Sequence, residues 1–173
     1  PTPTKPLPSA LKRRVLLATA ATTTEAERLV VAGDSAGGNQ ATEAVKEFVA
    51  PGGQSVANQL LLYPTLAPTR TSDSASLVAN GEGYMLTRGS LDWFWDHYLT
   101  DPADGLDQRA APLRAADLTG MPTTTIVVPE FDPLRDEGLA YADRLRTAGV
   151  DVVVHRVPGA LHGFWWMAGV LGQ

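Results

Sequence analysis

A serine flanked by glycines, between an apolar segment and a helical one, constrains the fold of this chain most. Residues 28–32 are Arg-Leu-Val-Val-Ala, and Gly33-Asp34-Ser35-Ala36-Gly37 follows. The pattern predicts a strand, a tight turn and a helix, with the hydroxyl of Ser35 projecting from a strained backbone as a nucleophile would. Gly33 and Gly37 are expected to let strand and helix approach, and the backbone N–H of Ala36 to face a developing oxyanion. The alternative is a glycine-rich turn that cradles an anion.

The composition of the chain excludes several classes of protein. A chain of 173 residues with 44% hydrophobic content predicts one domain with one core. A net charge of −5 without a basic run argues against nucleic acid as a partner. The absence of cysteine excludes a disulfide scaffold and a thiolate nucleophile, and the three scattered histidines predict no metal site. No apolar run is long enough for a membrane span and no leader pattern is visible, so we expect a cytoplasmic protein.

Apolar runs and helical periodicities alternate along the chain. This alternation predicts an α/β fold with a mainly parallel sheet, flanking helices and ligand sites at the carboxyl ends of the strands. The elements expected after the proline-rich start are a short helix over 9–21, a helix from Ser35 to Pro51, strands at 59–63 and 124–128, a helix over 134–148, and a strand at 152–157 ended by Pro158-Gly159.

The interval of about residues 65–121 is too long for a plain connection, so it is interpreted as a lid-like insertion between strands. One helical stripe stands out in it, formed by Leu91, Phe94, Trp95, Tyr98 and Leu99. We interpret the stripe as facing the core rather than a substrate. His97 lies off the stripe and is expected to be solvated.

Partners for Ser35 follow from the order of the strands. Asp132 comes after the strand at 124–128, and His162 after the strand at 152–157, so both should lie at the same edge of the sheet as Ser35. A serine nucleophile needs a base, and the base needs a carboxylate that orients it. Asp132 could also cap the helix that begins at Pro133. Asp136 is the rival carboxylate and His155, within a strand, the rival base.

Several separated motifs together resemble the hormone-sensitive-lipase-type branch of the α/β-hydrolase fold, a group of serine carboxylesterases. The motifs are Gly33 to Asn39, Leu62-Tyr63-Pro64, Gly83 to Thr87, Trp93 to Tyr98, Glu130 to Gly138, and His162-Gly163-Phe164. The resemblance implies the C-terminal part of that fold, a partial catalytic domain over residues 1–173, and no cofactor. It also implies Ser35 as nucleophile, His162 as general base and acid, Asp132 as its orienter, and Ala36 as one oxyanion donor.

The activity implied is hydrolysis of small-molecule carboxylic esters through an acyl-serine intermediate, with short to medium acyl groups. Alternatives are an amidase or deacetylase with the same triad, and a non-catalytic binder of small molecules. Trp165 and Trp166 could line the acyl pocket, but we expect them to pack under a final helix.

The chain also departs from the pattern of this branch. No His-Gly-Gly-Gly sequence, which would supply further oxyanion donors, precedes Ser35. We therefore expect an internal segment of a longer esterase or a truncated product, weakly active or inactive by itself. Residues 29–32 would form an unpaired sheet edge through which copies could associate. Pro129 and Ala111 are smaller departures that leave Ser35, Asp132 and His162 unaffected.

Overall fold

A computed structural model describes residues 29–49, 55–167 and 169. The helix expected over 9–21 and the helix end expected at Pro51 lie outside these residues. The regular elements are, in chain order, β1 (Leu29–Asp34), α1 (Ala36–Phe48), β2 (Val56–Leu62), α2 (Ala75–Asn80), α3 (Arg88–Tyr98), β3 (Thr123–Phe131), α4 (Arg135–Thr147) and β4 (Val152–Leu161).

The four strands form one parallel sheet in the order β1-β2-β3-β4. The predicted α/β fold with a parallel sheet is therefore confirmed. Because the strands are parallel and each is followed by a connection on the same side, the segments after β1, β2, β3 and β4 meet at one edge of the sheet. Among the described strands, β1 pairs only with β2 and lies at the side of the sheet.

β3 and β4 are longer than the sequence predicts. Pro129 pairs with Val157 within the sheet, and β4 continues through Pro158-Gly159 instead of ending there. The register shifts at this point, so the prediction of a strand end at Pro158 is wrong. Gly159 has a φ of 70°, and its N–H donates to Oε2 of Glu130 at 2.8 Å. The glycine and this side-chain acceptor allow a bulge where a break was expected.

The core lies between the sheet and the two long helices. α1 packs against β1 and β2, and α4 packs against β3 and β4. Residues from both helices and all four strands form one apolar cluster, whose fully or nearly fully buried members include Ala41, Val45, Val56, Leu61, Ile126, Val128, Tyr141, Leu145 and Val150. This core fixes the strand ends that carry the candidate site residues.

α4 begins later than predicted. Its first residue is Arg135 and its N-cap is Leu134, so Pro133 is not the first helical residue and Asp132 is not the helix cap. Asp132 caps the preceding turn instead, because its Oδ1 accepts the N–H of Leu134 at 2.8 Å.

Between β2 and β3 the chain forms α2, α3 and short 3₁₀ helices at Thr69–Thr71, Pro102–Leu106 and Pro112–Arg114. The sequence did not predict α2. The side chain of Ser74 caps it by accepting the N–H of Leu77 at 3.3 Å. α3 begins after Thr87, whose hydroxyl accepts the N–H of Ser90 at 3.1 Å. It carries four residues of the predicted stripe, and the fifth, Leu99, is its C-cap. None of the helices in the described part of the chain is long and apolar enough to cross a membrane.

Candidate active site

Ser35 occupies a strained turn between β1 and α1. Its φ is 51° and its ψ is −119°, a conformation that side-chain-bearing residues rarely adopt. The turn is held from both sides, since Ser35 donates its N–H to the carbonyl of Leu62 at 2.9 Å and its carbonyl accepts the N–H of Thr65 at 3.2 Å. These bonds attach the serine to the end of β2 and to the segment that follows it.

Two glycines make this turn possible, and the sequence predicts one of them. A Cβ on Gly33 would lie 2.1 Å from the carbonyl oxygen of Gly37, and one on Gly38 would lie 2.7 Å from Cβ of Pro64. A Cβ on Gly37 would meet only Oδ1 of Asp34, at 3.8 Å, which is an ordinary contact. The close approach thus requires glycine at 33, as predicted, and at 38, whereas the prediction that it requires glycine at 37 is wrong.

His162 links Ser35 to Asp132 by two hydrogen bonds. Its Nε2 lies 2.9 Å from Oγ of Ser35, and its Nδ1 lies 2.8 Å from Oδ2 of Asp132. Asp132 is fully buried and His162 nearly so. The imidazole can therefore exchange a proton with the serine on one side while the carboxylate orients it on the other.

Neighbouring groups hold Asp132 and His162 in place. Oδ1 of Asp132 accepts the N–H of Leu134, and the Asp132 carbonyl accepts from Nδ2 of the buried Asn80 at 3.3 Å. The ring of Tyr63, on the residue after β2, lies 4.7 Å from the His162 ring between centroids. Tyr63 has a φ of 37°, so a second strained residue contacts the site.

The rival residues lie elsewhere. The carboxylate of Asp136 accepts the N–H of Ser76 on α2 at 2.7 Å and the Nε–H of Arg135 at 2.9 Å. His155 is an exposed residue of β4 paired with Val127, and His97 is exposed on α3, with Nδ1 2.8 Å from the Trp93 carbonyl oxygen. The solvated position predicted for His97 is confirmed.

An apolar cavity of about 390 Å³ opens in front of Ser35. Ala36, the first residue of α1, lines it, and N–H groups at a helix start have no acceptor within the helix. The cavity is lined by Asp34, Ser35, Ala36, Asn39, Gln40, Thr65, Leu86, Leu91, Phe94, Trp95 and Tyr98.

The cavity corrects the interpretation of the α3 stripe. Four of its five residues line the cavity. Of these four, Phe94 is 55% exposed, whereas Leu91 and Trp95 are buried. The stripe therefore faces the space beside Ser35 rather than only the core. A helical period identifies the apolar face of a helix but not whether core or cavity lies opposite.

Glu137 is a buried acid to which the sequence pattern assigns no role. It is 2% exposed, and its Oε2 accepts the N–H groups of Leu66 at 2.9 Å and Ala67 at 3.2 Å. Burial raises the pKa of Glu137 to about 7, the two N–H groups oppose this rise, and the charge of Asp132 adds to it. Glu137 thus ties α4 to the segment after β2 that contacts Ser35 and His162.

The two tryptophans after His162 are exposed, at 60% for Trp165 and 75% for Trp166, so the expected packing under a final helix is not found among the described residues. Neither lines the cavity. The indole Nε1–H of Trp166 instead donates to Oδ2 of Asp34 at 2.9 Å. In the described part of the chain, no group of three or more acidic or histidine side chains could hold a metal ion.

Comparisons with known proteins show which family the fold belongs to. A family model described as the alpha/beta hydrolase fold matches residues 2–166. An ethyl acetate hydrolase of Pseudomonas putida is 37% identical over 156 residues, which are 86% of this chain and 46% of that protein. The carboxylic ester hydrolase LipN of Mycobacterium tuberculosis is 40% identical over 142 residues, which are 79% of this chain and 37% of that protein.

Solved structures are similar as well. EstE1, a thermophilic and thermostable carboxylesterase cloned from a metagenomic library, matches with a TM-score of 0.79 at 39% identity, over 84% of this chain and 49% of that one. The chain spans less than half the length of each of these three proteins.

Proposed function

Because this chain belongs to the α/β-hydrolase fold family, we propose that it hydrolyses carboxylic esters through an acyl-serine intermediate. The observation that carries the proposal is the hydrogen-bonded chain from Oγ of Ser35 through His162 to Asp132. A serine hydroxyl attacks a carbonyl carbon efficiently when a positioned base takes its proton. The names of the relatives support esters as the substrate class, since two of them are an ethyl acetate hydrolase and a carboxylic ester hydrolase.

In the acylation step, Oγ of Ser35 bonds to the ester carbonyl carbon while its proton moves to Nε2 of His162. Asp132 accepts the Nδ1–H and stabilises the imidazolium that forms. The carbonyl oxygen becomes an oxyanion, and the backbone N–H of Ala36 donates to it. When the tetrahedral intermediate collapses, the bond to the alcohol oxygen breaks and His162 gives its proton to the departing alkoxide.

Deacylation uses the same groups in reverse. His162 takes a proton from a water molecule, whose oxygen bonds to the acyl carbon. The second tetrahedral intermediate collapses by breaking the bond to Oγ of Ser35, which recovers its proton from Nε2. The products are a carboxylic acid and the free serine, so each turnover consumes one water and one ester.

The cavity supports small apolar substrates. Its apolar wall comes from Leu86, Leu91, Phe94, Trp95 and Tyr98, and its volume of about 390 Å³ suits short to medium acyl groups. All five residues belong to the interval of about residues 65–121. We therefore interpret the chain as one partial catalytic domain in which this lid-like insertion supplies the substrate-contacting wall.

The proposal is tested with p-nitrophenyl butyrate and the matching p-nitroanilide of butyric acid. In this chain by itself we expect weak turnover of the ester, still weaker turnover of the anilide, and loss of the ester turnover in Ser35→Ala at unchanged thermal stability. Binding of the ester without turnover would indicate the non-catalytic binder instead. Preferred turnover of the anilide would indicate an amidase.

A further inference from the structure

Asp34 brings a negative charge to the wall of an otherwise uncharged cavity. Among the described residues that line the cavity, it is the only one with a side chain that is charged at neutral pH. It directly precedes Ser35 at the carboxyl end of β1. The proposed reaction does not use its carboxylate, so its place beside the nucleophile requires another explanation.

One oxygen of the carboxylate is held in place by a hydrogen bond. Oδ2 accepts the indole N–H of Trp166 at 2.9 Å. An indole N–H carries no charge, so this hydrogen bond orients the carboxylate without neutralising it. No cationic side chain among the described residues forms a salt bridge with Asp34, so its charge acts on any charged group that enters the cavity.

The field of Asp34 reaches the site itself. Burial raises the pKa of Tyr63 to about 12, and the charge of Asp34 is the next largest cause of this rise, ahead of that of Asp132. Tyr63 is the residue whose ring contacts His162. The negative charge of Asp34 therefore acts on a ring that contacts the candidate base.

We propose that Asp34 is a specificity-determining residue that selects esters by charge, rejecting those with an anionic substituent in favour of neutral and cationic ones. The inference rests on the proposed function and names a substrate class for the same site. A like charge inside a binding site is a direct way to exclude a competing ligand, because the excluded group would lose its hydration and meet repulsion together.

Three aryl acetates of similar size test the selection. They carry a para-carboxylate, a para-carboxamide or a para-trimethylammonium group. In Asp34→Asn we expect kcat/KM for the carboxylate ester to rise about three- to tenfold relative to the carboxamide ester, and that for the cationic ester to fall by a similar factor. The asparagine oxygen can still accept the Trp166 N–H, so the variant removes the charge and keeps the hydrogen bond.

Asp151→Asn is the matched control. Asp151 is exposed and directly precedes β4, at the end of the parallel sheet opposite to the site. It removes one negative charge from the protein without changing the cavity, so the ratios between the three esters should stay as in the wild type. Ratios taken within one preparation do not depend on how much of the variant folds.

Salt provides a second measurement on the unmodified protein. Raising the ionic strength from about 0.02 M to about 0.5 M shortens the reach of the Asp34 charge, so kcat/KM for the anionic ester should rise relative to the carboxamide ester. The charge selection would be overturned if Asp34→Asn changed kcat/KM for all three esters by the same factor. It would also be overturned if Asp151→Asn shifted the ratios between the esters as much as Asp34→Asn does. Either result would leave ester hydrolysis standing. If none of the three esters is turned over, the proposed function is overturned and this inference with it.

Discussion

Ser76 and Asp136 bind each other reciprocally across the contact between α2 and α4. The N–H of Ser76 donates to Oδ2 of Asp136 at 2.7 Å, and the N–H of Asp136 donates to Oγ of Ser76 at 3.1 Å. The Ser76 hydroxyl also donates to the carbonyl of Pro133 at 2.9 Å, next to Asp132. Asp136 therefore braces the turn that carries Asp132 and does not orient His162.

The first prediction separates these two carboxylates. Asp132→Asn should lower kcat for an ester by on the order of 10³- to 10⁴-fold, because an amide does not stabilise the imidazolium. Asp136→Asn should cost less than about tenfold, since its amide oxygen can still accept the Ser76 N–H. Steady-state kinetics on both variants, with melting temperatures as the control, check the ranking. The reverse ranking would assign the orienting role to Asp136.

The second prediction concerns the glycines of the turn. Gly33→Ala and Gly38→Ala should each destabilise the protein by about 1–3 kcal/mol or prevent folding, because their new methyl groups would overlap Gly37 and Pro64. Gly37→Ala is the matched control, and should be neutral or stabilising by up to about 1 kcal/mol, because Gly37 lies in α1 with room for a methyl group. Urea denaturation measures all three. Equal losses at 33 and 37 would contradict the geometry of the turn.

The third prediction concerns Glu137 and pH. Its pKa is raised from 4.5 to about 7, so the folded protein holds this proton more tightly than the unfolded chain. The resulting stability is complete below pH 4.5 and is lost as the pH rises to about 7. A shift of this size corresponds to on the order of 3 kcal/mol.

Glu137→Gln cannot ionise and should lack this loss. Between about pH 5 and about pH 8, the free energy of unfolding of the wild type should therefore fall relative to that of the variant. Denaturant titrations at both pH values measure the difference. Glu47→Gln, which removes an exposed carboxylate from α1, serves as the control. Parallel behaviour of the wild type and Glu137→Gln would show that Glu137 ionises as readily in the folded protein as in the unfolded chain.

The fourth prediction concerns the cavity wall. Phe94 and Trp93 are similarly exposed aromatic neighbours on α3, but only Phe94 lines the cavity. Phe94→Ala should lower kcat/KM for a hexanoate ester by about tenfold through lost apolar contact, with a smaller effect on an acetate ester. Trp93→Ala should leave the ratio of the two esters near its wild-type value. A larger change of that ratio in Trp93→Ala than in Phe94→Ala would place the acyl chain outside the cavity.

Local signals predicted the fold and the residues around Ser35. The apolar runs and glycines near Ser35, Asp132 and His162 indicated strands whose ends meet, and the parallel sheet confirms that fold. The family is confirmed by the family model that matches residues 2–166. The roles of Ser35, Asp132, His162 and Ala36 remain predictions.

Other features depend on tertiary contacts that a sequence pattern does not carry. α2 has no clear periodicity and is held by Ser76 against α4, and β4 passes Pro158 because Glu130 accepts the N–H of Gly159. The contact of Trp166 with Asp34 joins residues far apart in the chain, so no local spacing indicates it. The cavity beside α3 could not be predicted from the helix pattern, because the pattern does not say what lies opposite the apolar face.

The most direct test of the account is covalent labelling of the candidate nucleophile. A fluorophosphonate probe should label the protein once, and peptide mass spectrometry should locate the adduct on Ser35. Labelling should disappear in Ser35→Ala and nearly disappear in His162→Ala, because the hydroxyl and its base act as one unit. An adduct on another residue, or undiminished labelling of Ser35→Ala, would contradict the assignment of Ser35 as the nucleophile.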